Sequence, residues 1–134
     1  MPTKNVTLHW NTASKFTAKN KDNVEIPLNQ LNAMSASDLL PVSLIGCSSV
    51  DVVEILGKQK QDLRELKVSA EATQDNDPPW RFRKIHIHYQ VIGTGIDVEK
   101  VQKAVKLSEE KYCSVYATLR DAIEITHDIE VLEG

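Results

Sequence analysis

Between Leu39 and Leu56 the chain carries ten apolar residues, Leu39, Leu40, Val42, Leu44, Ile45, Val50, Val52, Val53, Ile55 and Leu56, and almost no polar side before GKQKQD. The run is longer than an ordinary strand, so length decides for a helix despite its β-branched valines. A helix that is apolar nearly all round is a buried one, so the rest of the fold has to be arranged around it. Proline at position 41 fits its first turn, where backbone N–H groups lack helical partners. Ser35, Ser37 and Asp38 are the candidate N-caps ahead of it. Cys47 stands in the middle of this segment, and the only other cysteine, Cys113, lies 66 positions further on. No local spacing joins the two thiols.

The flanking sequence changes period. VTLHW (6–10) and KFTAKN (15–20) alternate weakly around the polar NTAS and predict a hairpin, with a further short strand in NVEIPL. Residues 29–37 have no periodicity and read as a loop. After the helix, KVSAEAT predicts a strand and QDNDPPW a loop. RFRKIHIHYQVIG predicts a long alternating strand with Ile85, Ile87, Tyr89 and Val91 on one face and Lys84, His86, His88 and Gln90 on the other. Asp97 caps a predicted helix with Val98, Val101, Ala104, Val105 and Leu107 at helical spacing, and Cys113 follows near its end. IEITHDIEVLE closes the sequence as a half-buried strand. Strands, helix, two strands, helix and strand make an α+β pattern, expected as one domain over residues 1–134.

Charge and composition narrow the function. With 41% hydrophobic and 26% charged residues in 134, the chain is of ordinary globular composition. A formal charge of -3 offers no basic footprint, so neither nucleic acid nor an anionic membrane surface is an expected partner. The first residues lack an apolar signal core. No run is read as approaching the roughly 18 apolar residues of a membrane span, and the protein is expected to be cytoplasmic. In that compartment two cysteines are free thiols or a catalytic or redox-sensing pair more readily than a structural disulfide.

Several side chains are candidates for chemistry. His86 and His88 share a strand face but lack a third ligand locatable from sequence, so they read as a surface or interface pair with no metal. His127, in register with Ile125 and Ile129, reads as a satisfied core histidine. GTG at 93–95 lacks the later glycine and the lysine of phosphate-binding loops, and no cofactor is expected. Each cysteine reads first as a small buried hydrophobe; the small polar neighbours SSVD and SVYATLR shift the balance toward a reactive thiol that a substrate can approach.

The segments SDLLPVSLIGCSSVDVVEILGKQ, KIHIHYQV and VEKVQKAVKLSEEKYCSV, in this order and with both cysteines in place, resemble the OsmC/Ohr family of osmotically induced and organic-hydroperoxide-resistance proteins, most like its shorter OsmC-like branch. The resemblance implies an α+β fold with two long central helices packed against β-sheet in an intertwined homodimer. It implies a thiol peroxidase without metal or flavin, in which Cys47 attacks a hydroperoxide and Cys113 resolves the sulfenic acid to a disulfide that an external dithiol reopens. Active members supply an arginine from the N-terminal strands and a glutamate at the start of the cysteine helix. Here no arginine precedes Arg64; Lys15 is the nearest hairpin cation, and Asp38, beside Ser37, is the acid at the helix start. Lysine is a hydrated point charge without the planar fork of arginine. Two further readings stand beside the peroxidase: binding or relay of sulfur or a small electrophile at the same thiols, and a structural dimer with inert cysteines.

Overall fold

The structure, a computed structural model, describes residues 1–13 and 15–134. Its chain divides into two compact units, Met1–Leu40 and Pro41–Gly134.

The first unit is a three-stranded antiparallel sheet, β1 (Val6–Asn11), β2 (Lys15–Asn20) and β3 (Glu25–Leu28), in sequence order. The hairpin expected from the alternation forms, with Val6 opposite Asn20 and Trp10 opposite Phe16. Ser14, part of the turn expected there, lies outside the described residues. The second turn is built by Asn20, whose side-chain oxygen accepts the N–H groups of Asp22 and Val24, while Asn23 takes the left-handed conformation that asparagine tolerates. Val6, Leu8, Trp10 and Ile26 of the sheet, and Val24 of the turn, are exposed. A 3₁₀ turn at Ala36–Asp38 then leads into α1, and Ser35 caps it: its hydroxyl accepts the Asp38 N–H while the Asp38 carboxylate accepts the Ser35 N–H.

Helix α1 spans Leu39–Lys58, with Pro41 in its first turn. The helix and its preceding turn, Ala36–Lys58, are long and apolar enough to cross a membrane by length and composition, which the residue-by-residue reading of the apolar run did not anticipate. Within the chain only one row of α1 is buried: Leu44, Ser48, Val52 and Leu56, each one turn after the last. Val42, Val50 and Val53 stay exposed, so burial on all sides, expected from the apolar pattern, is not achieved by this chain alone.

The rest of the second unit is a sheet ordered β4 (Asp62–Gln74), β5 (Phe82–Thr94), β6 (Glu124–Glu133), antiparallel between β4 and β5 and parallel between β5 and β6. β5 is central, and its alternation has the expected consequence: Ile85, Ile87, Tyr89 and Val91 are buried. β4 starts at Asp62, earlier than the predicted strand, because an irregularity between Leu63 and Glu65 shifts the pairing register there. The parallel return to β6 runs through α2 (Val98–Leu107), a π-helical turn (Ser108–Tyr112) and α3 (Ser114–Leu119). Asp97 caps α2 by accepting the Glu99 N–H. Val101, Ala104 and Val105 of α2 are buried, completing the core with the α1 row and the inward face of β5, whereas Val98 is exposed.

Candidate functional site

The most chemically distinctive part of the second unit is the junction between α1 and the π-turn. Cys47 lies one residue before the buried Ser48 and is itself half-buried. Cys113 ends the π-turn, with its N–H donating to the Ser108 carbonyl at 2.8 Å, and caps α3, with its sulfur accepting the Tyr116 N–H at 3.3 Å. Its backbone is extended (φ -80°, ψ 104°), which breaks the helical path and turns the side chain inward. Cys47 is a near enough neighbour of Cys113 to perturb the ionisation of its thiol. The fold therefore brings together two thiols 66 positions apart in sequence.

The two thiols differ in environment. Cys113 is 2% exposed; burial pushes its pKa up to about 11, the adjacent Cys47 adding to the rise and the Tyr116 N–H opposing it. Cys113 is thus a neutral thiol at physiological pH. Both sulfurs are free.

Further polar side chains, all but His127 unassigned in the sequence reading, hold this junction. Ser48 is tied to the sheet by the Tyr89 hydroxyl, which donates to its oxygen at 2.9 Å, and Ser48 in turn donates to the Ile45 carbonyl at 3.3 Å. Tyr89 is fully buried and stays protonated, its pKa pushed up to about 12 by that burial. One turn beyond Cys47, the Asp51 carboxylate accepts a 2.8 Å hydrogen bond from the hydroxyl of Ser108, a fully buried residue. The next π-turn residue, Glu109, pairs with His127 of β6 at 2.9 Å, and His127 meets Tyr89 edge-on with ring centroids 6.1 Å apart. His127 is satisfied by a carboxylate, and that hydrogen bond raises its pKa, but it is not the core histidine expected from its register with Ile125 and Ile129: it lies at the exposed edge of the sheet face, where the carboxylate reaches it. The one available signal was a charge, Asp51, four places after Cys47 in an apolar helix.

The other expected residues are placed as follows. Lys15 opens β2, exposed and left-handed (φ 60°). Asp38 shares the capping box with Ser35, so its carboxylate is engaged in holding the helix entry. Both belong to the first unit. On the outer face of β5, His86 Nε2 and His88 Nδ1 lie 2.7 and 2.8 Å from the two oxygens of Asp128, and His86 Nδ1 lies 2.6 Å from the Thr126 hydroxyl. These histidines hold the Asp128 pKa down, His88 most. Among the described residues no three His, Cys, Asp or Glu side chains are grouped to hold a metal ion.

A thiol pair at the join of a long apolar helix and a broken second helix, over a mixed sheet, is matched by the family model described as OsmC-like protein, over residues 29–128. The chain belongs to the OsmC-like family. Protein YhfA of Escherichia coli is 38% identical to this OsmC-like chain over 100 residues, 75% of each. A hypothetical protein from Aquifex aeolicus superposes with a TM-score of 0.89 at 30% identity, covering 100% of this chain and 99% of its own. An organic hydroperoxide resistance protein, OsmC, from Legionella pneumophila has a TM-score of 0.69 at 14% identity, with 98% of each chain covered. That last likeness is one of fold.

Proposed function

We propose that this OsmC-like protein is a thiol peroxidase that reduces organic hydroperoxides with Cys47 as attacking residue and Cys113 as resolving residue. The observation that carries the reading is the approach of a half-buried Cys47 to a fully buried Cys113. The naming of a protein with this fold as an organic hydroperoxide resistance protein is consistent with it. In the first step the Cys47 thiolate attacks the O–O bond, takes one oxygen as sulfenic acid and releases an alkoxide that is protonated to the alcohol. In the second, sulfur of Cys113 displaces the sulfenic oxygen, which leaves as water, and closes the disulfide. An external dithiol then reduces the disulfide, supplying the two electrons that the hydroperoxide consumed and becoming a disulfide itself.

The division of labour follows from environment. Cys113, raised to about 11, is a poor first attacker, and its burial keeps substrate from it. Lys15 and Asp38 are the residues of this chain that would assist ionisation of Cys47, in place of the family's arginine and glutamate. A reducing cytoplasm, where both thiols stay free until an oxidant arrives, suits this chemistry. A homodimer is supported by apolar residues left uncovered in each unit, Val6, Leu8 and Trp10 in the first and Val42, Val50 and Val53 in the second.

Cumene hydroperoxide treatment of single-cysteine variants tests the assignment. Cys113→Ser keeps the first step and accumulates sulfinic acid on Cys47 under excess oxidant; Cys47→Ser abolishes the reaction. Lys15→Arg accelerates the first step if Lys15 assists Cys47, because a guanidinium offers a rigid planar fork that the lysine point charge lacks. A Cys47→Ser protein that still consumes hydroperoxide at the wild-type rate is incompatible with the assignment. Absence of any arginine before Arg64 favours, as second reading, sulfur or electrophile transfer at the same thiols; it predicts a persulfide or adduct on Cys47 and inertness toward hydroperoxide.

A further inference from the structure

A sulfenic acid on a half-buried cysteine meets a second oxidant molecule unless the resolving thiol closes on it first, so the position of Cys113 decides whether the protein survives its own reaction. That position is set by a closed path of contacts. From Cys47 one turn of α1 leads to Asp51; Asp51 accepts the Ser108 hydroxyl at 2.8 Å. The Ser108 carbonyl accepts the Cys113 N–H, also at 2.8 Å, and Cys113 returns to Cys47. One residue, Ser108, thus holds the backbone of Cys113 with its carbonyl and the cysteine helix with its hydroxyl. It also begins the π-turn, a wide turn that rarely persists without a specific cause and is frequent at functional sites.

We infer that Asp51 and Ser108 are positioning residues for the resolving step, holding the π-turn against α1 so that Cys113 closes on oxidised Cys47 before over-oxidation. This rests on the peroxidase reading for the hydroperoxide, but the geometry acts on any oxidation of the pair. The bond made is Cys47 Sγ to Cys113 Sγ. With a hydroperoxide the sulfenic hydroxyl leaves as water, taking the Cys113 proton. With oxidised glutathione the two thiols lose two protons and two electrons to give two molecules of glutathione. Asp51 and Ser108 act through the placement of Cys113 against Cys47. The Glu109–His127 pair anchors the other side of the same turn to β6.

The test uses Ser108→Ala and Asp51→Ala in the full chain, with two readouts. In a glutathione redox buffer, the equilibrium constant for the Cys47–Cys113 disulfide is expected to fall about tenfold in each variant, the size expected for loss of one hydrogen bond to a charged acceptor. The double variant falls no further than either single one. Under organic hydroperoxide, Ser108→Ala is expected to keep its first-step rate constant within about twofold while the sulfinic fraction at Cys47 rises about tenfold at matched oxidant. General destabilisation would instead lower both steps together. Should the buried Ser108→Ala change prevent folding, Asp51→Ala removes the same contact from the half-exposed side. The inference is overturned if the folded variants keep the wild-type disulfide equilibrium and sulfinic fraction, or if both steps slow equally. Wild-type protein that equilibrates with glutathione but ignores hydroperoxide removes the peroxidase reading and leaves the positioning intact.

Discussion

Replacing Tyr89 by phenylalanine and Ser48 by alanine, singly and together, probes how firmly the cysteine helix is tied to the sheet. Both side chains are buried, at 0% and 2% exposure, and share a 2.9 Å hydrogen bond. Tyr89→Phe removes the donor but leaves Ser48 bonded to the Ile45 carbonyl, so the cost is that of one neutral hydrogen bond, about 1 kcal/mol. Ser48→Ala is worse, because it strands the tyrosine hydroxyl in the core without an acceptor, at about 2 kcal/mol. The double variant has no stranded group and is expected to cost about 1 kcal/mol, well below the sum of its parts. Urea unfolding at one fixed protein concentration measures all four proteins; the concentration is fixed because association adds to apparent stability. Additive losses, or a Tyr89→Phe cost exceeding that of Ser48→Ala, would refute the reasoning.

Stability should also depend on pH through His127. Its hydrogen bond to Glu109 raises the folded-state pKa above the ordinary 6.5, so this contribution is fully present below that value and is lost as pH rises through the raised one. Glu109→Gln should flatten that part of the unfolding profile, and a profile unchanged by the substitution argues against the pair. Gly93→Ala should lower the melting temperature, costing about 1–3 kcal/mol, because a Cβ there runs into the Asp62 carbonyl and the Ile96 side chain; a melting temperature equal to wild type would show the strand end able to relax. Light scattering should give twice the chain mass of 15.0 kDa, and the monomer mass at micromolar concentration would remove the dimer.

Much of the fold was legible because burial on one face leaves a period of two. The β5 row Ile85, Ile87, Tyr89 and Val91 and the hairpin of β1 and β2 were read from alternation, and Asp97 from its place before a helical apolar pattern. The start of β4 was missed where its pairing breaks register: the half-buried Leu63 and Leu66 are three apart across the irregularity, so strict alternation fails. The exposed faces of α1 were missed for a different reason: apolar composition does not say which chain supplies the cover. At the site, the cysteines were visible as residue types within a family pattern. Their supports were not, since Tyr89 and Ser48 are 41 positions apart and Ser108 and Asp51 are 57 apart, and neither pair leaves a spacing rule. Asp128, which joins His86 to His88, was hidden in the same way by a 40-residue separation from His88.

The central claim is the shared chemistry of Cys47 and Cys113, and intact-mass spectrometry of the reduced protein after one equivalent of cumene hydroperoxide tests it most directly. The account predicts loss of two hydrogens per chain, both alkylatable thiols consumed, one equivalent of cumyl alcohol formed, and a Cys47–Cys113 peptide that separates on reduction. Folded protein that keeps both thiols alkylatable under excess hydroperoxide would contradict it.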